Sequence, residues 1–331
     1  MEYELNFSAA DLAQTRFAVS PMWEVVTSFR LLHAEADPPL HRRWAAQVRP
    51  RLGSAGLDRG WLAALIPGGG YLADFLNPTP SGPFPELEAE LAAIRASSPE
   101  NVRTDLDTIT AKHRPADRQA ARLRLLYEDP GTVMEKVADE IQTYWELALA
   151  PYWPRIHQLL EADVFHRARQ VAEHGSAHVL NELHSTVSWD AGTLRMVRTH
   201  CALTRDKIGP GLLLVPSAFA WPRVLTRSVI PEPLQLAYPA RGIGTLWEPR
   251  ATKATDAVAA VLGRSRTLLL AELDTPASTT QLARHSGLST AAVSQHLTAL
   301  RDAGLVTGHR AGRSVLYART AIADALLTPV A

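Results

Sequence analysis

The chain has 331 residues, 46% of them hydrophobic and 21% charged, which is enough apolar material for a full core and excludes disordered and collagen-like classes. Lys+Arg and Asp+Glu each number 34, for a net charge of zero, so no global field draws the chain to polyanions or membranes, and nucleic-acid binding would need a local surface. The one cysteine, Cys201, excludes a disulfide framework and a Cys-rich zinc module and reads as a small buried hydrophobe.

The start carries Glu2 and Glu4 rather than a basic-then-apolar leader, and no apolar run approaches the roughly 20 residues that span a bilayer. A soluble, cytoplasmic protein is expected. Ser8 is placed to cap a helix through Asp11 to Phe17, and Pro21 suits the first turn of the next, with Trp23, Val26, Phe29 and Leu32 near one face. Asp129-Pro130-Gly131 precedes a long pattern, Val133, Val137, Ile141, Tyr144 and Trp145, that ends near Pro151. A further amphipathic run passes through Ile156, Leu159, Leu160, Val164, Ala168 and Val171. Residues 1–175 therefore read as a helix-rich domain.

Between His178 and Trp247 the signal changes to short β-like runs separated by Gly and Pro: Thr193–Val197, Leu212–Val215, Phe219–Leu225 and Leu234–Tyr238. Asp190-Ala191-Gly192 reads as a hairpin turn. This predicts a β-rich subdomain over residues 176–250, packed on the helices. All eight tryptophans and all prolines but Pro276 and Pro329 precede Lys253, which places a boundary near Pro249–Thr255 and a separate domain at 254–331. The expected fold class is α+β, mainly helical.

The last segment is dense in local signals. A helix through Val258, Val261 and Leu262 leads past Gly263 into Arg266–Leu273. Ser278 or Thr279 can cap a short helix, Thr280–His285, which Gly287 ends; Ser289 caps the next. In that helix Val293, Leu297 and Leu300 form one buried stripe at i, i+4 and i+7. Ala291, Gln295, Thr298 and Asp302 point the opposite way, with Ser294 and Arg301 on a flank. A short helix, a tight glycine turn and a second helix with a small polar outer face predict a helix-turn-helix whose second helix fits a DNA major groove. Leu305-Val306-Thr307, a tip at Gly308–Arg313 and Ser314–Ala318 then read as a wing. Arg284, Arg301, Arg310, Arg313 and Arg319 against Asp302 predict a basic local surface, with Arg310 and Arg313 near phosphates or a minor groove. The candidate DNA contacts are thus Thr290, Ala291, Ser294, Gln295, His296, Thr298, Arg301, Arg310 and Arg313, His296 being equally suited to a half-buried packing role.

Leu262-Gly263-Arg264-Ser265-Arg266, Gln281-Leu282-Ala283, Gly287-Leu288-Ser289, Val293–Leu297, Leu300–Val306 and Gly312–Tyr317 resemble, in order and spacing, the ArsR-type winged helix. The resemblance implies a bacterial transcription regulator, typically a homodimeric repressor on a partly palindromic double-stranded operator, released by an effector. Metal-sensing members carry a Cys-x-Cys pair on the first helix of the motif; this chain has Thr280–His285 there, so classical metal sensing is not expected. The front region, through Arg16–Pro21, Leu212–Ser217 and Tyr238–Gly242, resembles an uncharacterised domain joined to such modules in regulators of GC-rich Gram-positive bacteria.

Other motifs are weaker. His166, His174, His178 and His184 allow a metal reading, since His174 and His178 are an i, i+4 pair on a continuous helix, but Gly175 and Ser176 weaken that helix and surface histidines are the simpler reading. Gly242-Ile243-Gly244 lacks the third glycine of a dinucleotide loop and reads as a turn. Gly68-Gly69-Gly70 lacks the lysine of a phosphate loop. The tryptophans of the front region are either core filler or the lining of a pocket for an apolar or aromatic effector. An enzyme or a protein-interaction module in the front domain is the alternative. No catalytic residue, cofactor or metal ligand is assigned.

Overall fold

In the computed structural model, residues 2–34, 39–112, 117–197, 209–247, 255–273, 276–311 and 314–327 are described; Cys201 lies outside them. The chain opens on a strand, β1 (Glu2–Asn6), where a helical body was expected. Helix α1 (Ala9–Ala13) starts at Ser8 with a capping box, the Ser8 N–H donating to Asp11 Oδ2 at 2.8 Å. It does not reach Phe17, because Arg16–Phe17 form β2 and pair with a later strand; tertiary pairing overrides the local helical pattern. Helix α2 (Pro21–Leu32) has Pro21 in its first turn, and Ser20 Oγ accepts the Trp23 N–H at 3.1 Å. It is buried on nearly its whole circumference rather than on one face.

The helices that follow are α3 (Arg42–Ala55), α4 (Trp61–Leu65), α5 (Leu87–Arg95), α6 (Pro99–Lys112), α7 (Asp117–Glu128) and α8 (Pro130–Tyr144). After α8 comes a π-helical turn, Trp145–Leu149, then a 3-10 turn, Ala150–Tyr152, and α9 (Trp153–His174). Gly175, at φ +84°, breaks the helix before α10 (Ser176–Asn181). His174 and His178 therefore sit on separate helices, their rings 4.9 Å apart. Among the described residues no group of three or more His, Cys, Asp or Glu could hold a metal ion.

Strands β3 (Val187–Asp190) and β4 (Thr193–Val197) form a hairpin. Its turn has Ala191 at φ +47° and Gly192 at φ +88°, the left-handed pair that a two-residue hairpin needs. The sheet order is β1-β4-β3. A second sheet contains β5 (Gly209–Ser217), β6 (Leu225–Arg227) and β7 (Pro233–Pro239) in the order β2-β5-β7-β6, with β2, β5 and β7 parallel. The apolar run of β5 is explained by cover on both faces: Leu212 and Leu214 join Leu5, Leu194, Leu236 and Tyr238 in one core. Leu213 and Val215 join Ala18, Trp23 and Ala237 in another. The expected strand Phe219–Leu225 is a loop up to Leu225. Pro222 cannot donate to a ladder, and the Ala218 N–H goes instead to the Glu24 carboxyl at 3.1 Å.

The chain divides into two compact units, Met1–Pro38, Gly56–Ile141 and Leu159–Ile243 in one, Pro39–Ala55, Gln142–Gln158 and Gly244–Ala331 in the other. The second contains α3, the π turn, α11 (Thr255–Leu262), α12 (Arg264–Glu272), β8 (Ala277–Ser278), α13 (Thr279–Ser286), α14 (Thr290–Asp302), β9 (Val306–Ala311), β10 (Ser314–Arg319) and α15 (Ala321–Leu327). In it Trp44 stacks on Trp247 with centroids 6.4 Å apart, Tyr152 meets Trp247 edge-on at 5.5 Å, and the Trp44 indole N–H donates to the Ala148 carbonyl at 2.8 Å. These aromatics fill a core. The fold is mainly helical α+β, and no described helix is long and apolar enough to cross a membrane.

Candidate nucleic-acid interface

Helix α13 starts from Ser278, whose Oγ accepts the Gln281 N–H at 3.3 Å while Gln281 Oε1 accepts the Ser278 N–H at 2.9 Å. It ends at Gly287, φ +72°, a left-handed conformation that costs other residues roughly 1–2 kcal/mol. The chain re-enters a helix at once: Ser289 Oγ accepts the Ala292 N–H at 3.2 Å and begins α14. Val293, Leu297 and Leu300 are buried against Leu269, Leu270, Leu282 and Leu305. Leu288 packs on the edge of the same core.

With that stripe fixed inward, Thr290, Ala291, Ser294, Gln295, Thr298 and Arg301 are all exposed, and His296 is half-buried at the margin. Among the described residues the Gln295 amide makes no hydrogen bond, so its donor and acceptor are both available to a partner. The Thr298 hydroxyl is turned back to the Ser294 carbonyl at 3.0 Å. Arg301 lies 3.7 Å from Asp302, both exposed.

The wing differs from expectation in two respects. Strand β9 continues to Ala311, with Arg310 opposite Val315, so the tip is shorter than Gly308–Arg313 and Arg310 sits on a strand, exposed. Arg313 lies outside the described residues. Arg319, counted from the sequence as part of a basic surface, is buried: its Nε is 3.0 Å from Asp324 Oδ1, and it donates to the Leu270 carbonyl at 3.1 Å. An internal partner five residues on takes its charge, and of the five arginines counted between Arg284 and Arg319 those exposed among the described residues are Arg284, Arg301 and Arg310.

One feature of the wing had no sequence signal. Strands β9 and β10 rest against the π turn and the 3-10 turn at residues 145–152. His309 on β9 is half-buried there, with Nε2 3.0 Å from the Thr307 hydroxyl. Burial pushes its pKa down, against the opposing pull of Glu146 on the π turn.

Residues 267–307, from α12 to the first residues of β9, match the family described as "Bacterial regulatory protein, arsR family". This segment is an ArsR-family helix-turn-helix domain. The ArsR-family domain is also similar to the HTH-type transcriptional regulator NmtR of Mycobacterium tuberculosis, at 46% identity over 54 residues. That alignment covers 16% of this chain and 45% of NmtR, so the chain spans under half the length of that relative. Residues 94–244 match a family of unknown function (DUF5937). No solved structure matches the chain significantly.

Proposed function

We propose that the chain is a sequence-specific DNA-binding transcription regulator, acting as a homodimeric repressor that responds to a small molecule through its front region. The observation that carries the reading is α14: in an ArsR-family domain, a capped helix holds Thr290, Ala291, Ser294, Gln295, Thr298 and Arg301 exposed, opposite the buried Val293, Leu297 and Leu300. Side chains this short bring the helix backbone close to the base edges, and Gln295 can pair bidentately with adenine. Arg310 and Arg313 then supply backbone contacts from the wing.

Dimerisation is supported by exposed apolar side chains on α11 and α15, which lie against each other. Val261 is 83%, Ile322 63% and Leu326 45% exposed. Pairing two copies there would cover these side chains and present two recognition helices to half-sites about one helical turn, roughly 34 Å, apart. Effector control would act as a coupling free energy, typically about 1–3 kcal/mol, on the spacing of those helices.

The test is fluorescence anisotropy of the full chain on DNA from upstream of its own gene against scrambled DNA, at several salt concentrations. Saturable binding about a thousandfold tighter on the upstream DNA, with a steep salt slope, is the expected result. Equal affinity for both at every salt concentration would refute sequence-specific regulation.

A further inference from the structure

We infer that the groove between α7 and the turn Leu57–Arg59 binds an organic acid: a carboxylate held by arginines, with an apolar body lying along α7. The groove has a volume of about 450 Å³ and is lined by Gly56, Arg59, Arg118, Ala121, Arg122 and Leu125, a size that accommodates a small molecule. The four α7 residues stand at i, i+3, i+4 and i+7, so they form one stripe along the helix. Its composition is half cationic and half apolar, and Leu125 is 54% exposed.

The positive charge in the groove is poorly balanced. Among the described residues only Arg59 of the groove's arginines has an ion-pair partner, the exposed Asp58 at 3.5 Å, and Arg118 has neither a hydrogen bond nor an ion pair. Glu140 lies near Arg122, but its two oxygens accept the Trp61 and Leu62 N–H groups, each at 2.8 Å, and burial holds its pKa above the usual range. Both carboxyl oxygens are thus taken by backbone donors, and neither accepts from Arg122. Arg122 is already oriented, with its guanidinium 5.6 Å from the centre of the Trp61 ring. Its Nε is buried and has no acceptor.

An oriented guanidinium whose two Nη groups make no hydrogen bond among the described residues, beside a second free guanidinium, is matched by a planar carboxylate, which accepts two parallel N–H bonds. Leu125 and Ala121 favour a ligand whose far end is hydrocarbon. An inorganic anion would leave that apolar end uncovered. The inference names a ligand class for the small-molecule response and in that sense rests on the proposed function, but binding can be measured without DNA.

The experiment is isothermal titration of the full chain, free of DNA, with octanoate, octanol and inorganic phosphate. Octanoate is expected to bind at least tenfold more tightly than either of the others. R118Q, at an exposed position that does not hold the fold, and R122Q are each expected to weaken octanoate at least fivefold, with R118Q leaving the thermal midpoint and DNA affinity unchanged. L125N should weaken octanoate while leaving phosphate as it was. Equal binding of octanol and octanoate, phosphate binding as tightly as octanoate, or wild-type octanoate affinity in R118Q would each overturn the proposal. A fall in DNA affinity in R118Q without a change in octanoate binding would do so too. Loss of octanoate binding leaves the anisotropy result for the DNA-binding domain untouched, so the two failures are distinguishable.

Discussion

Arg319 at the end of β10 and Asp324 in α15 form a buried ion pair, Nε to Oδ1 3.0 Å, with only 5% and 6% of the two side chains exposed. Because Arg319 also donates to the Leu270 carbonyl, one guanidinium ties the wing, the terminal helix and α12 together. Removing one partner of a buried pair leaves the other charge stranded, at a cost of about 3–5 kcal/mol, whereas replacing both by apolar groups costs far less. D324A is therefore expected to lower stability by that amount in urea titration, and R319M/D324L to recover most of it. A loss below about 1 kcal/mol in D324A would mean that the pair is solvated and does not hold the domain.

The recognition helix and the wing make different contributions, and mutants should separate them. Q295A is expected to change which operator bases are preferred, by about 1–3 kcal/mol at one position. R310A should weaken binding to operator and random DNA alike and reduce the salt slope by about one, as should R313A. Anisotropy on an operator library at several salt concentrations reads both effects. If Q295A and R310A lower specific and random binding equally, Gln295 does not read bases.

The apolar side chains on α11 and α15 give a test of assembly. V261D and I322D place charges where dimer burial is proposed, and both positions are exposed in the single chain, at 83% and 63%, so the monomer should still fold. Sedimentation velocity at micromolar concentration is expected to show a dimer for the wild type and a monomer for V261D/I322D, with operator affinity falling at least tenfold. A wild-type monomer, with and without DNA, would remove the two-half-site mechanism.

The winged helix could be read from the chain because its signals are local. Ser278, Gly287 and Ser289 stop and start helices within a few residues of themselves, and the stripe Val293, Leu297, Leu300 repeats within one helix. The front sheets could be read only in part: Thr193–Val197, Leu212–Val215 and Leu234–Tyr238 fall on β4, β5 and β7, but the pairing of the strands could not be read. Leu5 pairs with Leu194 and Phe17 with Leu214, and neither β1 nor β2 announces a partner nearly two hundred residues on. Arg319 misled for a related reason: an arginine counts as surface until its acceptor is known, and Asp324 becomes an acceptor only when β10 and α15 fold together. The arginine groove on α7 was equally hidden, since Arg59 joins the α7 stripe only in three dimensions.

Glu24 makes the stability of the front unit depend on pH. It is fully buried in α2, where both carboxyl oxygens lie 3.1–3.2 Å from the Ala218 N–H. Desolvation outweighs these hydrogen bonds and raises its pKa from 4.5 to about 8. Glu90 and Asp74, also raised by burial, reach about 7. For an acid whose folded pKa lies above its unfolded value, the contribution to stability is complete below the unfolded pKa and is lost as pH rises through the folded one. Glu232, lowered by Arg227 and Thr79 against desolvation, acts in the opposite sense, but at acid pH, below the unfolded value. His309, lowered by burial, also acts in the opposite sense, below its ordinary value of 6.5, so the thermal midpoint of the full chain is expected to fall between pH 6.5 and pH 8.5. E24Q, which keeps an acceptor for the Ala218 N–H and removes the ionisation, should flatten that slope without lowering the midpoint at pH 8.5. An identical slope in E24Q and wild type would show that Glu24 is ionised in the folded protein and that its burial is offset by a charge partner.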